Sequence, residues 1–306
     1  MTHHHALCRS VALAAGLMLA TPALADGLPV VASFSILGDM VEQVGGKLVQ
    51  VTTLVGPDGD AHVYEPTPIE LKKVAAAKVL VINGLGLEGW MERLQQTAGF
   101  KGEEVVATKG IVPLTLPEEE GAAADHEHEH GSDDPHAWQS LPNAKVYVAN
   151  ILAGLSAADP AHAATYAANA ARYTAEIDAL DAEARRRLGA IPEERRVIVT
   201  THDAFGYFGA AYQVRFLAPQ GVSTEAEASA ADVAALIRQI RALHVPAVFF
   251  ENIADPRLIQ QITRETDAKI GGTLYSDALS GPEGPAATYL DLFRTNLTTL
   301  TSALTS

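Results

Sequence analysis

TTHDAFGYFGAAY, Thr200 to Tyr212, directly follows Val197-Ile198-Val199. The β-branched run reads as a short buried strand of a parallel sheet. It gives out at Thr200 and Thr201, and His202 comes next, with Asp203 placed to cap the helix that follows. An imidazole therefore stands just beyond the carboxyl end of a strand, where ligands bind in open α/β sheets.

Working outward, the same alternation repeats on both sides. Downstream, Gln213–Leu217, Ala247–Glu251 and Lys269–Leu274 read as strands. Ser229-Ala230-Ala231-Asp232 resembles a capping box opening a helix to Leu243, and Pro256–Thr266 and Ala286–Leu300 read as further helices. Upstream, 28–37, 48–55, 78–83 and 104–107 read as strands. Helices are expected over 38–44, from Pro68 and from near Glu88; proline at the first helical position and Glu70 in the first turn favour the second of these. Asn143–Ser156 is an apolar helix. Asp159-Pro160 starts a longer one to Leu188, about 42 Å at 1.5 Å per residue. The expected fold is α/β: two βα lobes with mostly parallel sheets, joined by one long rigid helix. The expected boundaries are 26–158 for the first lobe, 159–189 for the linking helix and 190–306 for the second.

The first 25 residues read as a signal peptide. Arg9 is its basic region, Val11–Ala20 its apolar run and Ala23-Leu24-Ala25 its cleavage site. Ten apolar residues are too few to span a bilayer. Its loss removes Arg9 alone among the charged residues and takes the formal charge from −15 to −16. It also removes Cys8, the one cysteine. Cys8 precedes the apolar run, whereas a lipoprotein's modified cysteine follows it. The mature protein is expected to be periplasmic, without a disulfide. Its acidity argues against nucleic acid or anionic membrane as partner.

Residues 117–134, PEEEGAAADHEHEHGSDD, contain eight acids, three histidines and no large apolar side chain. Such a segment cannot bury enough surface to order itself, so a mobile loop is expected.

Four residues offer metal-binding chemistry at the carboxyl ends of strands or in the loops after them: His62, His136, His202 and Asp277. They lie 74, 66 and 75 residues apart, so no close-spaced motif ties them together. Read singly, each also has a plain role, as a helix-start histidine (His202), a solvated loop residue (His62, His136) or a turn former (Asp277). Their common place at one edge of the presumed sheets links them.

The stretches around these residues carry a resemblance. GPDGDAHVYEPTP around His62, DPHAWQSLPNAKVY around His136, TTHDAFGYFGAAY around His202 and LYSDALSGPEGPAATYLDLFRTN around Asp277 are similar to the cluster A-I, or cluster 9, metal-binding proteins of bacterial ABC importers, zinc type. GVSTEAEASAADVAALI (221–237) resembles the family too. The resemblance implies metal held between the lobes, by His62 and His136 of the first and His202 and Asp277 of the second. Three imidazoles and a carboxylate suit Zn²⁺ as cargo. Manganese prefers more oxygen, and manganese-type relatives tend to carry Glu where this chain has His202. The histidine-rich stretch resembles the collecting loop of zinc-type relatives, and His126, His128 and His130 are read as an auxiliary set there.

The function expected is capture of Zn²⁺ and delivery to an inner-membrane ABC permease by a monomer, with a periplasmic metallochaperone as a further candidate partner. A manganese-specific protein of the same family is the near alternative. A zinc hydrolase is the alternative of another class: with Asp277 unbound, a coordination position would be open for water, and Asp203 or Glu251 would serve as base. An adhesin-like surface protein is disfavoured by the lack of a lipid-anchoring cysteine. Glu225, Glu227 and Glu251 are read as structural, Trp90 and Trp138 as core or lobe-contact residues.

Overall fold

The computed structural model describes residues 27–115 and 133–305. The signal peptide, and the part of the acidic stretch carrying His126, His128 and His130, lie outside the described residues.

The first lobe alternates strand and helix: β1 (Leu28–Phe34), α1 (Ser35–Gly45), β2 (Val49–Val55), α2 (Pro68–Ala76), β3 (Val79–Ile82), α3 (Met91–Ala98) and β4 (Glu103–Val106). The second follows the same plan: β5 (Val197–Val199), α6 (Gly206–Tyr212), β6 (Arg215–Leu217), α7 (Ala230–Leu243), β7 (Ala247–Glu251), α8 (Arg257–Glu265), β8 (Lys269–Leu274) and α9 (Tyr289–Thr305). The strands pair in parallel, in the orders β2-β1-β3-β4 and β6-β5-β7-β8. The two orders are topologically the same, so each sheet reverses its winding beside its first strand. The carboxyl ends next to such a reversal open a crevice for ligands.

Between the sheets run α4 (Leu141–Ala158) and α5 (Ala163–Gly189). The 27 residues of α5 extend about 40 Å. A single 3-10 turn, Pro160–His162, precedes it where a continuous helix was expected. Tyr166, Ala170, Tyr173, Ile177, Leu180, Ala184 and Leu188 form a buried stripe at helical spacing along α5. That stripe belongs to one hydrophobic core that includes Phe34 and Met40 of the first lobe and Phe208, Phe293 and Leu297 of the second.

Local sequence fixes several helix starts. The capping boxes Thr67/Glu70 and Ser229/Asp232 both form. Two starts differ from expectation. α3 begins at Met91 because the buried Glu88 carboxylate is engaged elsewhere, accepting from Ser33 Oγ (2.6 Å) and the Asn83 (2.7 Å) and Gly84 (3.2 Å) amides. α6 begins at Gly206, with Phe205 rather than Asp203 at its cap. The Asp203 amide instead bonds Gly221 O, in a loop of the second lobe. Gly84, at φ +85°, permits the turn after β3, since a Cβ there would meet Val106 Cγ1 at 2.7 Å.

Candidate metal centre

His62 lies in the loop after β2, His202 directly after β5 and Asp277 just past β8. His136 lies between β4 and α4, beside a 3-10 turn at Ala137–Gln139. The chain thus delivers all four side chains to facing sheet edges. One donor atom from each lies within 4.8 Å of every other. Asp277 Oδ2 is 3.2 Å from His62 Nε2 and 3.1 Å from His202 Nε2, and Oδ1 is 3.6 Å from His136 Nε2. A tetrahedron with bonds of about 2.05 Å has edges of about 3.3 Å. The separations around Asp277 match that figure.

His136, His202 and Asp277 are 0% exposed and His62 is 6% exposed. His62 Nε2, His136 Nε2 and Asp277 Oδ1 are buried without a hydrogen-bond partner. Leaving buried polar atoms unpaired costs about 1–3 kcal/mol each. Three converging orphans are what a missing cation would satisfy.

Each histidine is anchored at its backbone by a carboxylate. Asp60 Oδ1 accepts the His62 amide and Asp134 Oδ1 the His136 amide, both at 2.9 Å. Both are turns in which an aspartate caps the amide two residues on. Glu251 Oε1, at the end of β7, accepts the Thr201 (2.6 Å) and His202 (2.9 Å) amides. Two of these carboxylates also reach the ring: His136 Nδ1 lies 2.8 Å from Asp134 Oδ1, and His202 Nδ1 2.7 Å from Glu251 Oε2. With Nδ1 held by a carboxylate, Nε2 keeps its lone pair for the centre.

Asp134 corrects the sequence reading: the last residue of the 117–134 stretch is 2% exposed and serves His136. Glu251 too does more than hold a helix. Sequence reasoning missed the pairing, though its signal was visible as Asp60-Ala61-His62 and Asp134-Pro135-His136.

The carboxylates set the protonation of the empty cluster. Burial alone pulls the His136 ring down, but Asp277 and Asp134 override it and lift it to about 9. Burial likewise opposes the charged form of His202, yet Glu251 and Asp277 hold its pKa well above the ordinary value. Burial pushes Asp277 up, and the facing His202 and His136 more than reverse this, leaving it well below the carboxylate range.

Behind His136, Asn83 donates from Nδ2 to Pro135 O (2.9 Å) and accepts from Tyr147 Oη (2.6 Å). Trp138 is wholly buried and bonds Ser276 O at 2.9 Å, a contact between the lobes. Trp90 bonds Ala61 O at 2.8 Å, within the first lobe.

Residues 30–303 match the profile of the family described as ZnuA, zinc-uptake complex component A, periplasmic. The chain belongs to the ZnuA family. This ZnuA-family chain is 35% identical to the iron-binding protein YfeA of Yersinia pestis over 92% of its length and 91% of the relative's. It is 36% identical to the manganese-binding lipoprotein MntA of Bacillus subtilis over 90% of each. Among solved structures, the periplasmic zinc binding protein TroA from Treponema pallidum superposes with TM-score 0.81 at 30% identity, covering 91% of this chain and 99% of TroA. The manganese-bound periplasmic metal binding protein from Candidatus Liberibacter asiaticus gives 0.79 at 32%, covering 90% and 98%. Members are metal-binding substrate-binding components of ABC transporters, not enzymes, and they serve a membrane permease. No helix among the described residues is long and apolar enough to cross a membrane.

Proposed function

We propose that this protein captures Zn²⁺ through His62 Nε2, His136 Nε2, His202 Nε2 and Asp277, and delivers it in the periplasm to an inner-membrane ABC permease. The observation that carries the reading is the convergence of four buried donors with N–O separations of 3.1, 3.2 and 3.6 Å. Three imidazoles and one carboxylate suit zinc better than manganese, which favours oxygen-rich shells. Four protein ligands close the coordination sphere, as carriage requires and hydrolysis does not.

A second reading, manganese or iron as cargo, is favoured by the relatives, which include iron- and manganese-binding proteins at 35–36% identity. The test is metal content and competitive zinc and manganese affinity of residues 26–306, compared with His202→Ala and Asp277→Ala. Zinc preference with a loss of at least a hundredfold in both variants supports the reading. Preference for manganese, or unchanged affinity in either variant, overturns it.

The same reading divides the chain into a cleavable leader (1–25), a first lobe (26–158), the linking helix (159–189) and a second lobe (190–306), acting as a monomer. Each four-stranded sheet falls within one of these lobes. His126, His128 and His130 act as an auxiliary set that gathers zinc near the site. Deletion of 117–132, sparing Asp134, is then expected to slow zinc loading from dilute solution and leave equilibrium affinity unchanged. Equal loading rates would remove the auxiliary role. A periplasmic metallochaperone, if one donates the ion, would be bypassed in this assay.

A further inference from the structure

Asp277 belongs by sequence to the second lobe, yet its backbone is fastened largely to the first. Ser276 O accepts from Trp138 Nε1 at 2.9 Å and Gln139 Nε2 at 2.7 Å. The Leu279 amide donates to Ser35 Oγ at 2.9 Å, and Leu279 O accepts the Asp58 amide at 2.9 Å. Four hydrogen bonds from first-lobe residues thus bracket Asp277 on both sides. The second lobe's own grip on the segment is longer, with Asn252 reaching Ser276 N at 3.3 Å and Ala278 O at 3.2 Å. Asn252 itself also donates to Asp58 of the first lobe at 3.0 Å. Farther along, the Tyr289 amide at the start of α9 donates to Asp39 of α1 at 2.9 Å.

His202 is the opposite case. Its amide and ring are both held by Glu251, and its carbonyl accepts from Thr200 Oγ1 and the Ala204 amide. It forms a parallel bridge with Gln220. All of these are second-lobe residues. The cross-lobe bond on that side is made by Tyr207, on α6, to Asp134 O.

We propose that the centre is built as three and one: His62, His136 and Asp277 form a preassembled half carried by the first lobe, and His202 is the ligand that parts from them when the lobes move. Gln139, Trp138 and Ser35 are positioning residues for Asp277. This inference rests on the ligand assignment above. A wholly buried ion cannot leave without movement, and the strand of contacts that yields decides which bond breaks. Hydrogen bonds of 2.7–2.9 Å to Ser276 and Leu279 resist separation of Asp277 from the first lobe. On the His202 side, the bonds across the gap at the ring are those to the metal itself.

Double-mutant cycles on zinc affinity and release rate test this. Glu251→Gln acts through His202 alone, so its effect should vanish in a His202→Ala background. Gln139→Leu acts on the other half. It should raise the zinc release rate about tenfold, within the range seen when groups behind a ligand are removed. That effect should persist in the His202→Ala background and vanish with Asp277→Ala. Ser35→Ala should behave as Gln139→Leu does, and serves if the latter misfolds. Amide exchange gives an independent reading: the Leu279 N–H should be equally protected with and without zinc. Loss of the Gln139→Leu and Ser35→Ala effects in the His202→Ala background, or exposure of the Leu279 amide on zinc removal, overturns the three-and-one division. Unchanged zinc binding in His202→Ala would instead overturn the ligand assignment beneath it.

Discussion

Glu251 holds His202 at two points: Oε1 accepts the His202 amide at 2.9 Å, and Oε2 stands 2.7 Å from ring Nδ1. One buried carboxylate thereby fixes both the backbone and the ring of a residue at the end of a three-residue strand. Removing its charge weakens the lone pair at Nε2 and loosens the ring. Glu251→Gln is expected to lower zinc affinity about 10–100-fold while keeping the shape of the site. Chelator competition measures this, and affinity within twofold of the parent would show that Glu251 is only a backbone brace.

Acid should release metal over a wider range than free histidine implies. Asp277 and Asp134 overcome burial and raise His136 to about 9 in the metal-free cluster, against about 6.5 for an unperturbed ring. The folded-state pKa is the higher one. Protonated His136 therefore stabilises the metal-free fold fully below about pH 6.5, and that contribution is lost as pH rises through about 9. Zinc needs the neutral ring, so protons compete with it over the same window. Between pH 6 and 9, zinc affinity should climb throughout while the thermal midpoint of metal-free protein falls. Affinity that levels off near pH 7 would contradict this.

Exchanging nitrogen for oxygen at the His202 position should move selectivity. His202→Glu gives a two-imidazole, two-carboxylate set, which suits manganese better. The ratio of zinc to manganese affinity should fall at least tenfold, read by competitive titration. The new carboxylate would face Glu251 in a buried site, so overall affinity should fall as well.

Asn83 supports His136 from behind, through Pro135 O and Tyr147 Oη. Asn83→Leu leaves both groups buried without a partner, at about 1–3 kcal/mol each. Thermal or urea unfolding should show a loss of about 2–5 kcal/mol, and zinc affinity should fall with it because the Pro135–His136 turn is no longer held. Parent-like stability would mean that water or a rearranged neighbour replaces the amide.

Much of this protein was legible in the linear chain because the relevant physics is local. β-branched runs mark buried strands, and Thr67/Glu70 and Ser229/Asp232 cap the amides of their own helices. Histidines placed after strands must emerge at a sheet's carboxyl edge. The stretches around His62, His136, His202 and Asp277 carried the family resemblance unaided. Tertiary structure alone decided what depends on through-space encounter. Whether Glu88 opens a helix or accepts from Ser33 Oγ, 55 residues away, is settled by which donors the fold brings near it. That Glu251 serves His202 follows from β5 pairing with β7. That Asp277 is gripped by Gln139 and Ser35 follows from the packing of two lobes whose contacts span 137 and more residues of sequence. Side-chain periodicity reports which face is buried; it holds no record of which partner waits there.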